Sequence, residues 1–244
     1  AIMALIVIGG IGFMTWDDIK TNRWRLIRYR MQSKVILTTT ALLIVIPAVY
    51  FFFFEFADAP LAERIWSSFF QSVTPRTAGF NTVDLTLISE TGCMVMIALM
   101  LIGGSPGSTA GGMKTTTFAV MLSNMVSVFR KREHTHFFGR RISNSTLRDA
   151  ATIFMMYVSL CLVGGCIISY LEKLPLLTCL YETASAIGTV GLTLGITPEL
   201  SLVSQGILIA LMYIGRVGGL TLIFAAVGGQ NVSARLPEEK LTVG

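Results

Sequence analysis

Long apolar stretches with almost no charge set the narrowest limit on what this sequence can fold into. They cover residues 35–54, 94–128, 150–170 and 200–227. About 20 apolar residues in a helix are enough to cross the hydrocarbon of a bilayer. Only 14% of the 244 residues are charged, against about 25% in an ordinary soluble domain, and mean hydropathy is +0.69. The chain therefore reads as an all-α integral membrane protein, and disordered, collagenous and disulfide-stapled classes are excluded. Cys93, Cys161, Cys166 and Cys179 stand in apolar stretches without metal-ligand spacing, so they read as packed thiols rather than disulfide partners.

A further apolar run, residues 1–14, begins at Ala1 and is too short to span. It has no basic region before it and no small-residue cleavage site after it, which argues against a signal peptide. It reads as the end of a longer helix, and the chain as the C-terminal part of a larger protein.

The charges are sorted by position. Lys20, Arg23, Arg25, Arg28, Arg30 and Lys34 fill one linker; Arg130, Lys131, Arg132, Arg140, Arg141 and Arg148 fill another. A tail adds Arg235 and Lys240 against Glu238 and Glu239, while the connections 55–90 and 172–199 are acidic on balance. Lys/Arg-rich loops stay cytoplasmic, so both linkers and the C-terminus are expected there, in a multi-pass protein of the cell membrane. Solvated loops beside anionic lipid account for these cations better than nucleic acid does. The aromatic run 50–54 falls where an interfacial belt is expected.

The chain also repeats. An offset of 112 positions lays Thr77-Ala78-Gly79-Phe80 on Thr189-Val190-Gly191-Leu192, Met100-Leu101-Ile102-Gly103 on Met212-Tyr213-Ile214-Gly215, and Thr109 on Thr221. Ile8-Gly9-Gly10 adds a partial third copy of Ile102-Gly103-Gly104. Each complete repeat has a crossing helix, a short amphipathic segment (65–73; 176–187), a Gly-containing turn and a second helix. The short segments read as re-entrant half-helices, and non-helical backbone at membrane depth survives only inside protein or along a wet cavity.

Neither turn offers an acid, a base or a strong metal ligand, so its useful chemistry is the main chain. A Gly can adopt positive φ, which lets neighbouring carbonyls share a direction and replace the hydration shell of a monovalent cation. The half-helix before each turn aims the negative end of its dipole at the same space. A mere connecting turn is the plainer reading of one copy; two copies in register favour a selectivity filter at Thr77, Ala78, Gly79 and Phe80 and at Thr189, Val190, Gly191 and Leu192.

These residues resemble a family. Thr74-Pro75-Arg76-Thr77-Ala78-Gly79-Phe80-Asn81-Thr82, Ile102-Gly103-Gly104-Ser105-Pro106-Gly107-Ser108-Thr109-Ala110-Gly111-Gly112-Met113-Lys114, Gly188-Thr189-Val190-Gly191-Leu192-Thr193 and Met212-Tyr213-Ile214-Gly215-Arg216-Val217-Gly218 are similar to the Trk/Ktr/HKT superfamily of potassium transporters. Leu236-Pro237-Glu238-Glu239-Lys240 leans toward the Ktr-type membrane subunit. The resemblance implies four helix–pore loop–helix repeats around one pseudo-fourfold pore. Residues 1–16 would then close the second repeat, 35–129 form the third and 149–229 the fourth, with cytoplasmic segments at 17–34, 130–148 and 230–244. Two of the four implied filter strands are present; the others would belong to a preceding half or, less simply, to a second chain. The resemblance further implies a homodimer of membrane subunits on a cytosolic nucleotide-binding regulatory ring, potassium as the transported ion and no covalent cofactor. Sodium as a coupling or activating ion stays open.

The stretch 94–128 is too long for one span and is broken by Gly103, Gly104, Ser105, Pro106, Gly107, Ser108, Thr109, Ala110, Gly111 and Gly112. In a helix interior Gly costs about 1 kcal/mol and Pro about 3 against Ala, and discontinuous helices mark ion pathways. Small-residue helix packing suits Gly9-Gly10 and Gly218-Gly219 better than this polar break. A phosphate loop is rejected: Gly107 to Lys114 has one residue too many, and an apolar span precedes it. The resemblance implies a movable intramembrane gate beneath the filter. Arg216 stands where the other repeat has Gly104, in mid-span, where a charge needs a cavity or a partner; it is expected to bond the carbonyls of this loop and to add a positive barrier. Lys114 is either its companion or an interfacial lysine. Glu182 either polarises the outer mouth or caps a filter strand. Arg76 reads as an anchor of the first turn, and His134 and His136 as solvated.

The functional reading is a potassium-translocating pore subunit. One Gly per turn gives fewer ordered carbonyl sites than in tetrameric potassium channels, so looser selectivity is expected. An alternating-access cation symporter and a non-conducting assembly subunit are the rivals. An enzyme fits least, for want of a triad, a metal cluster or paired carboxylates.

Overall fold

The computed structural model describes residues 1–23 and 25–218. The C-terminal tail, Gly219, Thr221 and the remainder of the last apolar run lie outside the described residues.

Two helices are long and apolar enough to cross a membrane, among the described residues. The first, α3 (Met31–Tyr50), carries Pro47 and passes into a π-helical turn at Phe51–Glu55. Its 25 residues reach about 37 Å at ~1.5 Å each. The second, α7 (Asn144–Glu172), has 29 residues and reaches about 43 Å. Both exceed the ~30 Å hydrocarbon thickness.

The short amphipathic segments fold as expected in kind. Helices α4 (Leu61–Val73) and α8 (Leu176–Ile187) have 13 and 12 residues, about 18–20 Å, too short to span. Each packs into a bundle, α4 against α3 and α8 against α7 and α5. The inner helices are α5 (Glu90–Leu101), α6 (Thr115–Phe129) and α9 (Leu202–Val217). A core including Met96, Met100, Tyr157, Tyr181 and Ile187 fills the space between α5, α7, α8 and α9.

The internal repeat recurs in the structure at matched turns and helix caps. The 3-10 turns Leu85–Leu87 and Thr197–Glu199 stand 112 positions apart, as do Ser89 and Ser201, which cap α5 and α9 by accepting from Gly92 N and Ser204 N. Each cap is gripped by a carboxylate at the end of the preceding long helix. Glu55 accepts from Ser89 N (3.1 Å) and Oγ (2.5 Å), and Glu172 from Ser201 N (3.0 Å) and Oγ (2.5 Å). The carboxylate spacing departs from the repeat offset, so this staple escapes sequence comparison. In the connection before α5, Asp84 accepts from Thr86 Oγ1 and N (2.7 and 3.0 Å), which holds its carboxyl below the usual carboxylate range.

Two segments carry more structure than their composition announces. Residues 1–22 form α1 (Ile2–Gly10) and α2 (Phe13–Asn22), bent by 95° at Gly10-Ile11-Gly12, so the apolar opening continues as a second helix into the basic segment. The second basic linker folds a hairpin, β1 (His136–Phe137) with β2 (Arg140–Arg141), turned by Phe138 and Gly139 at φ 45° and 79°. His136 Nε2 lies 3.0 Å from Arg132 Nη1 and both are exposed. Lys34 Nζ stands 5.9 Å over the Phe138 ring, which puts both basic linkers at one end of the bundle. Cys93, Cys161 and Cys179 are buried and free; Cys166 is free but exposed on α7, a correction to its reading as a packed thiol.

Candidate functional site

Both Gly-containing turns follow a half-helix and share one backbone design. Thr77 and Gly79 have φ 60° and 72°; Thr189 and Gly191 have φ 51° and 92°. The intervening Ala78 and Val190 are not in the left-handed region. Such alternation turns successive N–H groups to one side of the chain and the carbonyls to the other.

The hydrogen bonds complete this division. In the first turn Thr77 N donates to Pro75 O (2.9 Å), and Ala78 N and Gly79 N to Thr74 O (both 3.2 Å). In the second, Thr189 N donates to Ala186 O (3.0 Å), Val190 N to Ser185 O (2.9 Å) and Gly191 N to Ser185 Oγ (3.2 Å). The carbonyl oxygens of Thr77, Ala78, Gly79, Thr189, Val190 and Gly191 accept no hydrogen bond among the described residues. Val190 is buried, Thr77, Ala78, Gly79 and Thr189 are half-buried and Gly191 is exposed, so these acceptors are open to a ligand. Phe80 differs, since its carbonyl accepts from Thr74 Oγ1 at 2.5 Å, and Leu192 is buried with the core. The left-handed threonines have no signal in a single sequence, because β-branched residues are rare outliers there; their recurrence at the same repeat position is the one hint.

The two turns touch. A Cβ on Gly79 would overlap the carbonyl oxygen of Val190. The glycine-rich segment 103–112 lies against the second turn: a Cβ on Gly111 would overlap Thr189 Oγ1, and one on Gly112 would come 3.4 Å from Gly188 Cα. A cavity of about 360 Å³ is walled by α1, Arg76, Thr77, Ala78, Thr109 and Ala110, so the first turn and the loop face the same space.

The loop is closed at its base and tied across its length. Ile102 and Met113 pair in parallel, Gly103 N donates to Met113 O (2.8 Å) and Thr115 N to Gly104 O (3.1 Å), so α6 resumes where α5 stopped. Ser105 Oγ and Thr115 Oγ1 are 3.1 Å apart, and Ser108 Oγ donates to Ser105 O (2.6 Å). Pro106 and Gly107 form the far bend, with Gly107 at φ 71°. Two cations bind adjacent carbonyls: Arg216 Nη1 donates to Thr109 O (2.7 Å) and Lys114 Nζ to Ala110 O (2.6 Å). Gly112 N donates to Gly215 O (3.2 Å). Arg216 stands in the last turn of α9, before Gly218 at φ 89°, rather than inside a continuing helix as expected. There its charge also meets the negative end of the helix dipole.

Glu182 is 4% exposed and fully engaged by its own downstream segment. It accepts from Thr193 Oγ1 (2.6 Å), Thr197 Oγ1 (2.8 Å) and Leu194 N (3.0 Å). It thus braces the exit of the second turn. Glu182→Ala should lower the stability of the detergent-solubilised protein by more than about 2 kcal/mol, since hydrogen bonds to charged groups are worth ~1.5–3 kcal/mol each; a thermal melt unchanged from wild type would refute this bracing. Arg76 is buried with Nη2 3.5 Å from Thr40 Oγ1 and Nε unpartnered among the described residues. Its backbone N–H donates to Val73 O (3.1 Å) at the start of the first turn.

Comparison with known proteins shows the family and the fold. Residues 1–233 fit the family model TrkH, described as a cation transport protein. The potassium/sodium uptake protein NtpJ of Enterococcus hirae is 38% identical over all of this chain and 56% of its own length. The Ktr system potassium uptake protein B of Bacillus subtilis is 34% identical over 98% of this chain and 55% of its own. The crystal structure of the potassium transporter TrkH from Vibrio parahaemolyticus superposes with a TM-score of 0.72 at 16% identity, over 93% of this chain and 51% of that one. The chain thus spans about half the length of each of these proteins. With the family model matched over nearly the whole of its length, the chain belongs to the TrkH family of cation transport proteins.

Proposed function

We propose that this chain builds part of the pore of a potassium-uptake system, with the two Thr-x-Gly turns as selectivity-filter strands. The observation that carries this reading is the set of six carbonyls, three in each turn, unbonded among the described residues, whose own N–H groups are tied back to Thr74 and Pro75 just after α4 or to Ser185 and Ala186 of α8. Oxygens so disposed replace water around a dehydrated monovalent cation, and the half-helix dipoles add to the attraction. The relatives named as potassium and potassium/sodium uptake proteins support potassium as the substrate, with sodium as a second ion.

The loop 103–112 is the gate of this proposal. It lies against Thr189 and is held by Arg216 and Lys114, so a cation leaving the filter meets it first. The transported ion is the substrate, and neither chemical catalysis nor a covalent cofactor is involved. The ends carrying the basic linkers lie in the cytoplasm of a cell-membrane protein. Two membrane subunits docked on a cytosolic nucleotide-binding ring, as the Ktr likeness implies, complete the assembly, with the basic linkers as the docking face.

Rubidium uptake into liposomes holding the full-length protein tests the filter. Wild type should take up rubidium in competition with potassium more than with sodium. The double variant Gly79→Ser, Gly191→Ser should lose both flux and discrimination; uptake and selectivity unchanged in it would overturn the assignment.

A further inference from the structure

We infer that Gly12 is a positioning residue for the glycine-rich loop: the bend between α1 and α2 latches residues 105–107, while Arg216 holds the carbonyl of Thr109 further along it. This inference rests on the reading of the loop as a gate. Three contacts make the latch. Ser105 N donates to Gly10 O (2.9 Å), Phe13 N donates to Gly107 O (3.1 Å), and a Cβ on Gly12 would come within 2.5 Å of Pro106 O. Loop segment 105–107 is therefore seated on the bend by main-chain groups alone. The bend is itself specified: Gly12 has φ 90° and ψ 146°, a region that residues with a side chain rarely adopt. Trp16 Nε1 donates across it to Ile8 O (2.9 Å) and holds the two helices at their angle.

The far side of α2 is also anchored. The buried carboxylate of Asp18 accepts from Arg30 N (3.0 Å) and Ser33 Oγ (2.5 Å), and Arg30 Nε lies 3.5 Å from it. Helix α2 thus joins the loop, at its first residue, to the start of α3 and the basic segment before it. A displacement of that segment pulls on Phe13 and Gly12, and through them on Pro106 and Gly107. Arg216 and Lys114 grip residues 109–110, so the loop is released only when both grips yield.

Gly12→Ala and Trp16→Phe in the full-length protein in liposomes test the latch, with rubidium flux and the rubidium-to-sodium ratio as separate readouts. Gly12→Ala should raise basal flux about tenfold, the ratio that corresponds to roughly 1.4 kcal/mol of backbone strain, and leave the ion ratio at the wild-type value. Trp16→Phe keeps an aromatic ring, loses the bond to Ile8 O, and should raise flux in the same direction by less. Wild-type flux in a folded Gly12→Ala protein overturns the latch, as does raised flux with lost discrimination, which would locate the damage in the filter. If Gly12→Ala does not fold, unchanged or lowered flux in Trp16→Phe overturns it alone. Absence of selective rubidium flux in wild type would overturn the pore reading instead, a result distinct from all of these.

Discussion

Gly79→Ala should reduce rubidium flux by about a hundredfold or more, whereas Gly191→Ala should reduce it by only about tenfold. Both glycines have positive φ, 72° and 92°, and a left-handed backbone costs an L side chain roughly 1–2 kcal/mol. That strain alone corresponds to about a tenfold change in a conformational equilibrium. It is all that the Gly191→Ala substitution introduces among the described residues, none of which has an atom within 4 Å of the added Cβ apart from its chain neighbours. At Gly79 the same Cβ would also overlap the carbonyl oxygen of Val190, one of the six unbonded acceptors. Relief would drive the two turns apart and remove oxygens from both. Tracer flux per incorporated protein, with the rubidium-to-sodium ratio, measures the difference. Equal losses in the two variants would show that strain, rather than contact between the turns, decides the effect.

Arg216→Gln should raise basal rubidium flux by about ten- to a hundredfold without changing ion discrimination. The guanidinium donates to Thr109 O at 2.7 Å, and hydrogen bonds from charged groups contribute about 1.5–3 kcal/mol, which is roughly one to two decades in the ratio of open to closed loop. On the proposed pore reading, removing the charge also removes a positive barrier to ions. Lys114→Gln, which loses one bond to Ala110 O, should act in the same direction. Wild-type flux in both variants would remove the cations from the gate; a shift in selectivity without a shift in flux would move Arg216 from gate to filter.

Much of the fold was legible in the sequence because its signals are periodic or strongly chemical. The apolar runs 35–54 and 150–170 became α3 and α7, the brief amphipathic segments became α4 and α8, and the break after Ile102 falls where Gly and Pro crowd the chain. The register of 112 positions located both turns before any fold was known. The residues of the broken helix were legible too, and so was the bond from Arg216 to a loop carbonyl, since a charge in an apolar helix has few other partners. Less readable were the staples from Glu55 and Glu172, whose spacing breaks the repeat, and the duty of Glu182, whose partners follow it by eleven to fifteen residues.

The sequence by itself determined a chain of membrane-crossing and half-crossing helices, with glycines at two equivalent turns and small polar residues in one broken helix. Hydrophobic burial and backbone propensity act locally, and their traces lie along the chain. Only the tertiary structure decided that Thr77 and Thr189 adopt left-handed backbone, that Gly79 stands against Val190, and that Gly12 meets Pro106 while Arg216 bonds Thr109 of the same loop. Those relations join carbonyls, amides and bare Cα atoms from segments far apart in sequence. Every residue carries the same main-chain groups, so nothing in the identity of a residue announces which distant partner they will meet.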